Sequence, residues 1–91
     1  MHPRSLKNKN IVITGCNKGI GKSTLEDFAK QGANIFACVR SSSIEFKRFT
    51  SSIKKKYKVN IYIIKLDLSK KSSISNCVNE IYKISKNIDV L

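Results

Sequence analysis

The sequence predicts an α/β fold built as a doubly wound parallel sheet with helices on both faces. Three apolar segments of strand length alternate with three segments whose apolar residues recur at helical spacing. A glycine-rich turn joins the first apolar segment to the first helical one. Because neighbouring parallel strands require a long crossover, this alternation indicates right-handed strand–helix–strand units rather than hairpins.

The predicted strands are apolar runs with little alternation, which is typical of strands buried on both faces. They cover residues 10–14, 34–39 and 60–66, and a fourth begins at 88–91. Since this fourth run contains only a few residues, we expect a domain truncated after the start of its fourth strand. We also expect an unpaired apolar edge on the first strand, and a chain that is inactive and poorly folded alone.

The predicted helices have recognisable ends. The first begins at Gly19 and stops at Gly32, a residue type that commonly terminates helices. Serines 41–43 offer an N-cap to the second, and the third covers 69–87. The apolar residues expected on one side of the second helix are Ile44, Phe49, Ile53 and Tyr57. Those expected on the third are Ile74, Val78, Ile81 and Ile84.

Composition restricts the class of protein. Ninety-one residues with 41% hydrophobic content provide for one domain with a modest core. No apolar run approaches the roughly 18 residues of a membrane-spanning helix, and the first residues lack a signal-peptide core. The three cysteines fall in no metal-binding spacing, so we expect free thiols, no metal site and a cytoplasmic location.

The net charge of +12 comes mostly from lysines spread along the chain. A basic surface can bind nucleic acid or anionic lipid, so that role is one alternative. The only dense cluster, Lys54–Lys56 with Lys58, lies at the end of the second predicted helix, where cations suit the helix dipole. We therefore expect a passive solvated surface, with no specific nucleic-acid partner and no membrane partner.

The glycines of Thr14–Thr24, "TGCNKGIGKST", follow the first strand and open the first helix, as in phosphate-binding turns. A nucleotide-binding P-loop needs four residues between its two glycines, but position 16, where the first should stand, is Cys16. The standard G-x-G-x-x-G pattern fails as well, because Thr24 occupies its third glycine position. The spacing that fits is T-G-x-x-x-G-x-G, with Gly15, Gly19 and Gly21.

This motif resembles the cofactor-binding turn of the short-chain dehydrogenases/reductases, including members similar to 3-oxoacyl-(acyl-carrier-protein) reductase. "LDLS" from Leu66 and "IDVL" from Ile88 extend the resemblance along the chain. The resemblance implies that residues 1–91 are the N-terminal dinucleotide-binding half of a single Rossmann domain. Glycine residues serve three purposes in such a turn: the sharp bend at Gly15, backbone approach to pyrophosphate at Gly19, and close helix packing at Gly21.

Cofactor choice is predicted to depend on the end of the second strand. An acidic residue there would bind the ribose 2′-hydroxyl of NAD, but this chain has Val39 followed by Arg40. A guanidinium can pair with a 2′-phosphate, and Lys18 resembles the basic residue of NADP-preferring family members. We therefore expect NADP rather than NAD. The residues expected to bind the cofactor are Gly15, Asn17, Lys18, Gly19, Ile20, Gly21, Arg40, Ser41, Asp67 and Leu68.

The resemblance implies an NADP-dependent oxidoreductase that transfers hydride between the nicotinamide and a small carbonyl or alcohol substrate, as a homo-oligomer. The family's catalytic tyrosine, lysine, serine and asparagine follow later strands, so no catalytic residue is predicted here. Tyr82 and Lys86 match the Y-x-x-x-K spacing but precede the fourth strand, which places them far from the nicotinamide. Two alternative functions remain. One is a catalytically dead dinucleotide-binding or structural fragment, and the other is a P-loop nucleotide-binding protein.

Overall fold

The computed structural model describes residues 6–16, 19–85 and 87–90. Four strands and three helices alternate along the chain. The elements are β1 (Asn10–Thr14), α1 (Gly19–Lys30), β2 (Asn34–Val39), α2 (Ile44–Tyr57), β3 (Ile61–Lys65), α3 (Lys71–Ile84) and β4 (Asp89–Val90). The sheet has the order β3-β2-β1-β4, and every pairing is parallel. The α/β class and the doubly wound order predicted from the sequence are confirmed.

The edge of β1 differs from the expectation. Ile11 pairs with Asp89 and Val12 with Val90, so β4 covers part of the strand that was predicted to stay unpaired. The two paired residues are the second and third of the five residues of β1. The prediction of a bare apolar edge on β1 is therefore wrong for this part of the strand.

Helices cover both faces of the sheet. On the first face, α1 and α2 pack Leu25, Ala29, Phe46 and Ile53 against alternate residues of β1, β2 and β3. On the second face, α3 packs Cys77 and Ile81 against the other set, which includes Phe36, Cys38 and Ile64. Because β2 lies between two strands and under helices on both faces, its residues 35–39 are all buried.

The ends of α1 and α2 follow from local chemistry. Gly32 adopts a φ of +92°, and the N–H of Ala33 donates to the carbonyl of Phe28 at 3.1 Å, which ends α1 as the sequence predicted. Ser43 caps α2 by accepting a hydrogen bond from the N–H of Phe46 at 3.0 Å. The predicted serine cap is therefore confirmed at Ser43.

Two predicted apolar faces need correction. Ile44 is 69% exposed because it directly follows the cap and points away from the stripe formed by Phe46, Thr50 and Ile53. On α3, the buried centre is Cys77 and Ile81. The other residues predicted for the face of α3 are exposed by 38% to 46%: Ile74, Val78 and Ile84.

A chain of polar groups crosses the beginnings of the strands. The Asn10 side-chain amide donates to Ser85 Oγ at 3.1 Å and to the carbonyl of Asn87 at 2.8 Å. Asn34 Nδ2 donates to Asn10 Oδ1 at 3.3 Å, and Asn34 Oδ1 accepts from the N–H of Asn60 at 3.1 Å. We call these five residues the asparagine row. It ties together the starts of β1, β2 and β3 and the approach to β4.

Candidate cofactor-binding site

The site forms where β1, β2 and β3 end, because parallel strands bring their carboxyl ends to one edge of the sheet. The N–H of Gly15 donates to the carbonyl of Cys38 at 3.1 Å, and the N–H of Leu66 donates to the carbonyl of Val39 at 2.8 Å. These bonds hold the three segments that leave the strands side by side. A cleft of about 360 Å³ lies between them, lined by Thr14, Gly15, Cys38, Arg40, Leu66, Asp67, Leu68 and Ser69. We call it the adenosine cleft, after the half of the cofactor that the sequence predicts to bind here.

The described glycines of the turn leave open space beside the backbone before and at the start of α1. Gly15 and Gly19 have φ values of +62° and +49°, and a Cβ at either position would meet no atom within 4 Å. Space therefore remains beside the backbone at both glycines. The first turn of α1 contains no acidic residue that would repel a phosphate. The N-terminal amides of α1 and this open backbone fit an anionic dinucleotide.

Gly21 has a packing role. A Cβ there would lie 2.5 Å from the carbonyl oxygen of Gly15 and 2.9 Å from Cys16 Cα, both backbone atoms. Only glycine lets α1 come this close to the turn. The close helix approach predicted for Gly21 is confirmed.

Lys22 distinguishes this turn from a P-loop. Its Nζ lies 4.5 Å from the centroid of the Phe49 ring on α2, a cation–π distance. The side chain thus bridges α1 and α2 on the helix surface. A P-loop lysine would instead reach the phosphates.

Asp67 is held in an ordered turn at the end of β3. Its Oδ1 accepts hydrogen bonds from the Ser69 N–H at 3.0 Å and the Ser69 hydroxyl at 2.6 Å. The N–H of Asp67 donates to Ser73 Oγ at 2.8 Å. The two Ser69 bonds, and the positive charges of Arg40 and Lys70, hold the pKa of Asp67 below its ordinary value of 3.8. Asp67 therefore presents an ionised carboxylate to the cleft at neutral pH.

A second cleft adjoins the first at Arg40. It has a volume of about 280 Å³ and is lined by Val39, Arg40, Ser41, Ser42, Ile63 and Lys65. We call it the cationic cleft. Arg40 lines both clefts, so the guanidinium lies at the boundary between them.

The residues predicted for cofactor binding fall into three groups. Gly15, Arg40, Asp67 and Leu68 line the adenosine cleft, and Ser41 joins Arg40 in the cationic cleft. Gly19, Ile20 and Gly21 form the first turn of α1, where the Ile20 side chain is 87% exposed. Asn17 and Lys18 lie outside the described residues.

Several cleft residues were not predicted from the sequence. Ser69 holds Asp67, and the D-x-S spacing of an Asx turn is a signal that would have found it. Cys38 and Lys65 line the clefts because of strand register, which the sequence alone does not give. Tyr82 lies near the other end of the molecule. Ser85, three residues after Tyr82, accepts a hydrogen bond from the Asn10 side chain at the start of β1. The exclusion of Tyr82 from catalysis stays a prediction.

The cysteines are buried and free. Burial raises the pKa of Cys16 to about 11 and, with its neighbour Cys77, that of Cys38 to about 12. Among the described residues, no group of three or more His, Cys, Asp or Glu side chains is placed to hold a metal ion. No described helix is both long and apolar enough to cross a bilayer.

Comparison with known proteins identifies the family. Residues 9–91 match the model of the short chain dehydrogenase family. The chain belongs to the short-chain dehydrogenases. It is therefore a member of an oxidoreductase family, as the glycine spacing and "LDLS" predicted.

Individual relatives agree with this assignment. The chain is 38% identical over 88 residues to the NADP-dependent 3-hydroxy acid dehydrogenase of Schizosaccharomyces pombe, covering 94% of this chain and 33% of that protein. It is 29% identical over 86 residues to the 3-oxoacyl-(acyl-carrier-protein) reductase FabG of Aquifex aeolicus, covering 94% of this chain and 34% of that one. The chain thus spans about a third of the length of these relatives.

Solved structures share the fold. L-sorbose reductase of Gluconobacter frateurii, crystallised with NADPH and L-sorbose, superposes with a TM-score of 0.83 at 26% identity. The match covers 97% of this chain and 34% of the reductase. The relatives named here are dehydrogenases and reductases, and two carry NADP or NADPH in their names. They support binding of a nicotinamide cofactor.

Proposed function

We propose that residues 1–91 form the adenosine-binding half of the NADP(H) site of a short-chain dehydrogenase. The complete enzyme would exchange hydride with a small carbonyl or alcohol substrate, and the bound nicotinamide would supply that hydride. The groups that act on the substrate would belong to the part of the relatives' length that this chain does not span. The role of this chain is to bind and orient the cofactor.

The proposed preference for NADP over NAD rests on the position of Arg40. An NAD-selective site needs a carboxylate at the end of β2 to accept the ribose 2′-hydroxyl. Val39 stands at that strand end and Arg40 follows it, at the boundary of the two clefts. A 2′-phosphate directed from the adenosine cleft towards the cationic cleft would therefore meet the guanidinium, which can bind it through paired hydrogen bonds.

The other predicted residues have distinct roles in this proposal. Gly15, Gly19 and the amides near Ile20 and Gly21 bind the pyrophosphate at the start of α1, and Asn17 contributes to the same site. Lys18 shares with Arg40 the selection of the 2′-phosphate. Asp67, fixed by Ser69, and Leu68 contact the adenine. Ser41 adds a hydroxyl beside the 2′-phosphate.

Titration of NADPH and NADH into the chain and into Arg40→Ala tests this proposal. One or two charge-assisted hydrogen bonds correspond to a preference for NADPH of about 10- to 1,000-fold. Arg40→Ala should abolish most of that preference and leave NADH affinity nearly unchanged, because NADH has no phosphate at this position. Arg48→Ala removes the same charge from the exposed side of α2 and should preserve the preference.

Val39→Asp is the complementary variant. The added carboxylate would accept the ribose hydroxyl of NADH and repel the 2′-phosphate of NADPH, so selectivity should move towards NADH. Equal affinity of the unaltered chain for both cofactors, or parallel loss of both in Arg40→Ala, would contradict the proposal. If a chain whose folding is verified by circular dichroism bound neither cofactor, the assignment of the site itself would be wrong.

A further inference from the structure

We infer that Lys65 is a further cationic contact for the 2′-phosphate, in addition to Arg40 and the predicted Lys18, and that it shares in the selection of NADP. This inference rests on the proposed function and extends it to a residue on a different strand. Lys65 is the last residue of β3, and the glycine motif and the end of β2 give no indication of it.

Strand register brings the two cations together. Val39 and Lys65 are paired in the parallel ladder, and β2 and β3 end at this pair. Adjacent strands lie about 4.8 Å apart. Because Arg40 directly follows Val39, it lies one residue beyond the Val39–Lys65 pair. Side chains alternate along a strand, which places Lys65 on the same face as Ile63. Both residues line the cationic cleft together with Arg40.

The lining of the cationic cleft is suited to a dianion. Val39 and Ile63 contribute apolar side chains, while Arg40 and Lys65 contribute two positive charges, and Ser41 and Ser42 contribute hydroxyls. No carboxylate is among the described residues that line it. A phosphate ester with close to two negative charges finds both charge balance and hydrogen-bond donors there.

Arg40 alone does not make this region strongly positive. Its charge acts on Asp67, whose pKa it helps to lower, so part of the guanidinium field is balanced within the adenosine cleft. Lys65 restores a net positive charge on the side where the 2′-phosphate would lie. The two cations therefore act together.

A competing location for the Lys65 ammonium exists on the other side of the strand edge. There Lys65 lines a cleft of about 300 Å³ with Asp67, Lys70 and Glu80, among others. The two carboxylates balance the two lysines in that cleft, so it offers a phosphate no comparable excess of positive charge. Lys70 lines this second location and is absent from the cationic cleft, which makes it a matched control.

The test uses two small probes that differ by the 2′-phosphate. Adenosine 2′,5′-bisphosphate and 5′-AMP are titrated by NMR into the 91-residue chain and its Lys65→Gln, Lys65→Arg and Lys70→Gln variants. Lys65 is exposed, so its substitution should leave the fold intact, and the spectra of the variants check this directly. We expect the unaltered chain to prefer the bisphosphate by about tenfold or more.

Lys65→Gln should reduce that preference by about threefold to tenfold, the size expected of one partly exposed charged contact, without changing 5′-AMP affinity. Lys65→Arg should retain it, Lys70→Gln should change it by less than about twofold, and added salt should weaken it. An unchanged preference in Lys65→Gln would overturn the role of Lys65 and leave Arg40 as proposed. Lack of any preference in the unaltered chain would instead contradict the proposed NADP site, and the inference with it.

Discussion

On the first face of the sheet, α1 and α2 bury Leu25 and Ala29 completely and Phe46 almost completely. On the second face, α3 is the single described helix that covers the strands, and its Val78 and Tyr82 are 43% and 53% exposed. Beside α3 lies an apolar groove of about 190 Å³ lined by Val12, Val78, Ile81, Tyr82 and Ile88. Because more buried apolar residues lie on the first face than on the second, we expect the first face to supply more of the hydrophobic stabilisation.

The largest expected effect comes from truncating one side chain on each face. Leu25→Ala on the first face removes a fully buried side chain and should lower the free energy of unfolding by about 2–5 kcal/mol. Ile84→Ala on the second face removes a side chain that is 46% exposed and should cost less than about 1 kcal/mol. Urea unfolding followed by circular dichroism measures both. Similar losses in the two variants would contradict the difference in burial between these two side chains.

A substitution at Gly21 tests how closely α1 packs on the turn that follows β1. Gly21→Ala would place Cβ 2.5 Å from the Gly15 carbonyl oxygen, so α1 must shift, at a cost of about 1–3 kcal/mol. The matched control is Gly19→Ala, which meets no atom within 4 Å but keeps a φ of +49°. Its cost should be limited to backbone strain of about 1–2 kcal/mol.

The two variants differ in their structural signature. Gly21→Ala should move the NMR signals of Gly15 and Cys16, which its Cβ would touch, whereas Gly19→Ala should perturb mainly its own turn. If Gly21→Ala left the signals of Gly15 and Cys16 in place, the close packing of α1 on the turn would be refuted.

The smallest effect concerns the order in which thiols react. Cys16 is buried under α1 on the first face, whereas Cys38 and Cys77 meet under α3 with their sulfur atoms 3.5 Å apart. Raised pKa values leave almost no thiolate on Cys16 or Cys38 at pH 8, so alkylation of the folded chain should be slow. Local detachment of α3 should expose Cys38 and Cys77 before Cys16.

Mass spectrometry of peptides from timed alkylation gives this order. In urea, all three cysteines should react quickly and at similar rates, which controls for intrinsic reactivity. Earlier labelling of Cys16 in the folded chain would indicate that the first face opens more readily than the second.

The features that could be predicted from the sequence are local in the chain. The order of elements, the Ser43 cap, the end of α1 at Gly32 and the packing role of Gly21 all depend on residues within a few positions of one another. Local patterns also identified Arg40 and Asp67 as residues at strand ends.

Features that depend on strand register or on the rotation of a helix about its axis could not be predicted from local patterns. Ile44 carries an apolar side chain at the first position of α2, and only the helix phase relative to the sheet shows that it faces solvent. Lys65 joins Arg40 because Val39 pairs with Lys65 across two strands. The role of Ser69 depends on a turn whose hydrogen bonds are visible only in three dimensions.

The asparagine row helps to determine the register of β1 against β2. A two-residue slip between β1 and β2 would keep every apolar side chain on its own face, so burial alone distinguishes poorly between the two alignments. The slip would, however, separate Asn10 from Asn34 and so break the bond that joins the two halves of the row, Asn34 with Asn60 and Asn10 with Ser85 and Asn87. The row thus fixes the register at the starts of the strands. That register determines which residues lie side by side where the strands end.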